Sequence, residues 1–267
     1  QTGSVNGSED KQEVKQVVTE TYTALESFGL AYQPDYGLQP YNCQSLNNRI
    51  IFSFLYEPLF AVTDGYEAEP ILAESYLVTD DGKTTTVKLR SGVTFHDGTA
   101  MTAADAAYSI ASAMGSEYYG SRLRFIIEAQ AQDDLTLVLA TSEAYECLPL
   151  LLDIPIIKAG TKDDASPMGT GPYEFADTKL VHCQNWWQDS EPLVDFDEIA
   201  LTISSTAADV RDNFEYQKVN MVLTDPNSSA FAGFHNDYEL WDAKSPIMQY
   251  VGYNINSKVF SNYGLRS

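Results

Sequence analysis

The stretch Tyr56–Tyr108 decides the reading of this chain, together with Met168–Tyr173. It contains YEPLF at 56–60, PILAESY at 70–76 and DDGKTTTVKLRSGVTFHDGTAMTAADAAYSI at 80–110, and MGTGPY follows at 168–173. Thr84–Arg90 alternates with Val87 and Leu89 on one face, and its threonines favour an extended backbone, so it predicts a strand. Asp80-Asp81-Gly82 before it is a turn signal. Leu135, Leu137 and Leu139 alternate in the same way after a turn at Asp133-Asp134. Thr102-Ala-Ala-Asp105 opens a helix running to about Met114, with the threonine as cap and Asp105 supporting the first turn.

Working outward, a first strand is expected within Thr21–Tyr32, then a turn-rich loop over Gln33–Asn48 holding Pro34, Gly37 and Pro40. The apolar run Ile50–Phe60 reads as a buried helix that ends near Glu57-Pro58, where proline stops further winding. Gly169-Thr170-Gly171-Pro172 is a tight backbone element before a strand at Tyr173–Ala176. A strand at Glu198–Ile203 precedes a second Thr-Ala-Ala-Asp, at 206–209, whose helix runs to about Tyr216. That recurrence is capping chemistry, not an internal duplication. Val219–Leu223 and Gln249–Ile255 are further strand candidates. Alternating strands and helices predict an α/β or mixed α+β fold.

Composition narrows the function classes. The 267 residues carry 38 acidic and 16 basic side chains, a formal net charge of −22. No basic stripe exists to release counterions from phosphates, which argues against nucleic acid as a partner. The same balance argues against basic adhesion to an anionic membrane. With 44% hydrophobic and 12% aromatic residues, a sizeable core is expected. The sequence has no run of about 18 apolar residues. Residues 1–16, QTGSVNGSEDKQEVKQ, are polar and read as a flexible tether or a trimmed mature N-terminus.

Cys43, Cys147 and Cys183 are widely and irregularly spaced, without a CxxC pattern. They allow one disulfide or buried free thiols. His96 beside Asp97 could suggest a metal or catalytic pair, but no second ligand sits at helical or hairpin spacing, so a packed turn is the favoured reading. His182 and His235 stand apart from it. No Gly-x-Ser-x-Gly elbow, HExxH, Walker loop or GxGxxG fingerprint is present, so no catalytic residue, metal site or cofactor is expected.

Several of these segments, taken in order, resemble the peptide/nickel-type extracellular solute-binding proteins, family 5, which deliver ligands to ABC importers. The resemblance rests on Leu38-Gln39-Pro40, Leu55–Leu59, the block Ala73–Phe95, His96-Asp97-Gly98-Thr99 and Thr102-Ala103-x-Asp105. It continues through Gly169–Tyr173, Asn185–Trp187 with Pro192–Asp197, and Tyr250–Asn256. It implies a type II periplasmic-binding-protein clamp of two lobes. Residues 17–54 and 166–267 would build the main first-lobe sheet and the start of the hinge, and residues 55–165 would be an inserted small α/β subdomain. The chain ends where family members enter the second lobe, so the second lobe is expected to be absent. Gln39 stands where the family usually has Asp.

The same resemblance implies where ligand would be met. The loop Tyr41–Asn48 matches the family loop that reaches the ligand backbone, which makes Asn42, Gln44 and Leu46 candidates. Asn and Gln amides can satisfy peptide N–H and C=O groups together. The competing reading is an ordinary loop completing its own turns. Tyr118 and Tyr119, in the Gly115–Gly120 loop, are candidates for ligand contact, or else pack the insert. Gly169 and Thr170 could cradle an anion with backbone N–H groups, or line the cleft edge and position a strand. Trp186-Trp187 reads as structural. The implied function is binding of oligopeptides or a related small solute, as a monomer, for an ABC permease. The implied location is extracellular or cell-surface, with a lipid anchor in the native protein. A ligand sensor on the same fold is the alternative, and a hydrolase is disfavoured.

Overall fold

The computed structural model describes residues 25–188, 196–224, 233–235 and 238. The expected tether at 1–16 and the strand candidate Gln249–Ile255 lie outside the described residues.

The chain opens with β1 (Phe28–Tyr32) and reaches α1 (Leu46–Leu55) through a loop containing one turn of 3₁₀ helix. Helix α1 lies earlier than the expected span Ile50–Phe60. Ser45 caps it by accepting the Asn48 amide at 3.1 Å, so the first turn recruits Asn47 and Asn48 from the predicted loop. Asn48 is fully buried because its side chain closes that loop. It accepts from Gln33 N–H at 2.9 Å and donates to the carbonyls of Gln33 and Gly37 at 2.9 and 2.8 Å. At the other end Tyr56 is already extended, at φ −128° and ψ 143°. The helix therefore stops before Pro58 can block it, as the bias of pre-proline residues against helix also requires. The helix buries Ile51, Phe52, Phe54 and Leu55. Burying each such side chain is worth about 2 kcal/mol.

Next come a small hairpin, β2 (Phe60–Val62) with β3 (Ala68–Pro70), then β4 (Ala73–Val78) and β5 (Thr84–Leu89). Helix α2 (Ala103–Met114) and the single turn α3 (Gly120–Leu123) lead to β6 (Ile126–Asp133) and β7 (Thr136–Thr141). The four long strands form an antiparallel sheet in the order β4-β5-β7-β6. Val87, Leu89, Leu137 and Leu139 point to its covered face, as their period predicts. Asp105 does more than cap α2. One carboxylate oxygen accepts the Thr102 N–H at 2.9 Å and its hydroxyl at 2.8 Å, and the other accepts Ala159 N–H at 2.9 Å.

The chain then forms β8 (Tyr173–Ala176), β9 (Lys179–His182), β10 (Glu198–Ile203) and α4 (Ala207–Glu215). These strands make a second sheet in the order β1-β10-β9-β8, parallel only between β1 and β10. Thr206 and Asp209 cap α4 reciprocally, at 3.1 and 2.9 Å. One continuous core joins the two sheets, with Ile51, Leu59, Val87, Ile110, Leu139 and Tyr173 all part of it.

The expected strand Val219–Leu223 is corrected to a single parallel bridge, Leu30 to Met221. Asn220 N–H donates to the Gly29 carbonyl at 2.8 Å, but Gly29 N–H is taken at 2.7 Å by the Asn220 side chain. A side-chain oxygen replaces the backbone acceptor that a ladder would need. All three cysteines are free thiols.

Candidate functional site

Two surface features meet around the N-terminus of α1. The first is a cleft of about 530 Å³. One wall is the loop into α1, with Gln33, Gln44 and Leu46, and another is the start of α4, with Thr206 and Arg211. Leu223 and Phe234 complete it. The wall is held by Asn47, whose side-chain oxygen accepts the Leu223 amide at 3.3 Å, and by Ser45, whose hydroxyl donates to Gln33 at 2.6 Å. Arg211 is paired with its neighbour Asp212 at 2.6 Å.

The second feature is an aromatic shelf. Tyr118 is 55% exposed, while Tyr119 is 6% exposed. The two rings are T-shaped at 4.8 Å, and Tyr119 meets Tyr41 edge-on at 6.2 Å. Tyr41 is itself fixed by its hydroxyl, which donates to the Pro155 carbonyl at 2.9 Å. The Arg49 guanidinium lies 3.7 Å from the centre of the Tyr118 ring and donates to the Cys43 carbonyl at 2.8 Å. It thereby links the shelf to the loop that carries Asn42 and Gln44. Cation–aromatic stacking of this kind is worth about 0.5–2 kcal/mol.

Asn42, Gln44, Leu46 and Tyr118 are all exposed; Gln44 and Leu46 line the cleft, whereas Asn42 and Tyr118 lie outside its lining. Asn42 and Gln44 are free to point outward because Gln39, not Asn42, closes the preceding turn. The Gln39 side chain accepts the Tyr41 and Asn42 amides at 2.9 and 2.8 Å. Tyr119 takes the packing role instead, and burial pushes its phenol up from the ordinary value.

Gly169 and Thr170 belong to neither the cleft lining nor the shelf. Both are buried, and the Gly171 amide that follows them donates to the Leu55 carbonyl at 3.0 Å. The Thr170 hydroxyl donates to Glu57 at 2.8 Å. Of their two readings, the arrangement serves the positioning one. His96 is equally structural, with its ring Nε2 3.1 Å from the Gly171 carbonyl and its amide donating to Gly169. Burial holds its imidazole below the usual pKa. Trp186 donates to the Thr170 carbonyl at 3.1 Å and Trp187 to Glu57 at 2.6 Å, so the tryptophan pair fastens this same junction. No group of three or more His, Cys, Asp or Glu side chains among the described residues could hold a metal ion.

Arg49 and Arg211 escaped the sequence reading. The signal for Arg49 was present: it is the one charged residue in LNNRIIFSFL.

The family model for bacterial extracellular solute-binding proteins, family 5, matches residues 67–267. The chain belongs to that family. The glutathione-binding protein GsiB of Escherichia coli strain K12 is 27% identical over 257 residues, covering 86% of this chain and 48% of that protein. GsiB of Shigella flexneri matches equally, with 27% identity over 257 residues. Among solved structures, NikA from Brucella suis in complex with Fe(III)-EDTA has a TM-score of 0.60 at 19% identity, covering 73% of this chain and 42% of that one. NikZ from Campylobacter jejuni in complex with Ni(L-His) has a TM-score of 0.59 at 16% identity, with the same coverage of 73% and 42%. The architecture is therefore that of a type II periplasmic binding protein, and this chain supplies one lobe of it. The chain spans about half the length of the curated relatives it matches. Relatives of this kind are substrate-binding transport proteins, found outside the cell or in the periplasm. No helix among the described residues is long and apolar enough to cross a membrane.

Proposed function

We propose that this chain forms one wall of the ligand cleft of a binding protein that delivers oligopeptides to an ABC importer. The observation that supports this reading is the convergence of Gln44 and Leu46 on the cleft, with Tyr118 held beside the same loop by Arg49. Exposed amides can answer peptide N–H and C=O groups, while Leu46 and the Tyr118 ring cover apolar atoms. In this reading residues 55–165 are an insert that carries the shelf, and the remainder supports the loop.

Ligand binding between two lobes would select a closed form, and the permease would recognise that form. Such a protein works outside the membrane, as a monomer held near its permease by a lipid anchor. The names of the relatives keep other small solutes in view, namely glutathione and chelated nickel. One wall covers only part of a ligand, so binding to this chain alone is expected to be weak, in the millimolar range, because concave sites normally bury most of the ligand surface.

The test is calorimetric titration of this chain with a pool of di- to hexapeptides, with glutathione, and with nickel–histidine. Weak heat from the peptide pool alone supports the reading. Saturable binding of glutathione or nickel–histidine with silence from peptides would replace the proposed ligand.

A further inference from the structure

The shelf contains two arginines in opposite electrostatic situations. Arg122 lies 5.1 Å from the Tyr119 ring centre, and its charge is answered by an ion pair with Asp153. Arg49 is stacked more closely, at 3.7 Å, on the exposed Tyr118. Among the described residues no carboxylate is within ion-pair distance of Arg49. This unanswered cation sits in a chain whose formal net charge is −22, where acidic partners are abundant.

A guanidinium has five N–H donors in one plane. Stacking on Tyr118 engages a face of that plane, and Arg49 is half-buried. One edge donor goes to the Cys43 carbonyl at 2.8 Å, which fixes the orientation of the group. The remaining donors match the two oxygens of a carboxylate, the acceptor that this fork suits best. Tyr118 packs edge-on against the buried Tyr119 at 4.8 Å, which gives the ring under the cation one fixed support. Asn42 and Gln44 stand exposed on the adjoining loop, able to take the polar groups that neighbour such a carboxylate.

We infer that Arg49 and Tyr118 form a carboxylate subsite, and that the ligand presents a carboxylate group to it. This rests on the reading of this face as a ligand wall.

The probes are an alanine-based pool of two to six residues with free C-terminal carboxylates and the same pool amidated. Each is titrated into the isotope-labelled chain and its Arg49→Gln and Tyr118→Leu variants, and affinity is read from NMR shifts. Charge-assisted hydrogen bonds are expected to make the free-acid pool bind about 10-fold to 100-fold more tightly than the amidated pool. Arg49→Gln should abolish the preference for the free-acid pool, so that the two pools bind the variant equally, and a dispersed amide spectrum shows that the variant is folded. Tyr118→Leu should weaken both pools. Equal binding of both pools by the unaltered chain, or a preference that survives Arg49→Gln, overturns the carboxylate subsite and leaves the ligand wall standing. Failure of both pools to bind the folded chain overturns the ligand wall for peptides and the subsite with it.

Discussion

Trp187 donates its indole N–H to the Glu57 carboxylate at 2.6 Å, across 130 residues of sequence. Glu57 is 7% exposed and also accepts from Thr170 at 2.8 Å and Gln188 at 2.7 Å. Both carboxylate oxygens are therefore satisfied just after α1, where the chain passes from the sheet of β1 towards β2. Replacing Trp187 by Phe keeps an aromatic ring but leaves a buried charge short of one donor. A loss of about 1–3 kcal/mol in urea unfolding is expected.

The pH dependence of stability carries the same signature. Burial raises the Glu57 carboxyl above the ordinary value despite its three donors. A raised folded pKa means that the folded chain holds this proton more firmly than the unfolded chain. Its contribution is therefore most favourable below the unfolded value and diminishes as pH rises through the folded one. The stability difference between the unaltered chain and Glu57→Gln should shift towards the unaltered chain as pH falls from neutral to the ordinary glutamate value of about 4.3. A difference that is flat over this range would contradict the assignment.

Gly169 and Gly171 tolerate no side chain. A Cβ on Gly169 would stand 2.0 Å from the Leu55 carbonyl oxygen, and one on Gly171 would stand 2.3 Å from that of Phe54. These obstacles are backbone atoms and cannot rotate away. Alanine at either position should cost about 3 kcal/mol or more, or prevent folding, as read by circular dichroism and thermal melting.

Asp105 and Thr206 separate two kinds of cap. Thr206→Ala removes an exposed cap on α4 and should cost about 1 kcal/mol. Asp105→Ala removes the acceptor for Thr102 and also for the Ala159 amide, in a buried setting. It should cost more than Thr206→Ala, by about 1–2 kcal/mol in chemical denaturation.

Legibility followed local physics. Strand β5 and helices α2 and α4 declared themselves through period-two alternation and Thr-Ala-Ala-Asp caps, both of which act within a few residues. Edge strands β4 and β6 did not, because AESYLV and IIEAQAQD are exposed on most of their length, and the alternation in β6 is carried only by the small side chains of Ala129 and Ala131. The start of α1 was misplaced because Ser45 and Asn48 look like loop residues until the Gln33 turn that they satisfy is in place. The candidate loop and Tyr118 were proposed through family resemblance. Arg49 stood out only as the one charged residue of its helix, because its stacking on Tyr118 is reached only by the fold. The burial of Tyr119 beside the exposed Tyr118 was likewise a tertiary outcome, decided by Tyr41 and Arg122.

The most direct test of the ligand wall is to map amide and side-chain NMR shifts of this chain during titration with the free-acid peptide pool. The account predicts shifts at Asn42, Gln44, Leu46, Arg49 and Tyr118, and none at His96, Thr170 or Trp187. Saturable shifts confined to His96, Thr170 or Trp187, with the α1 loop silent, would contradict it.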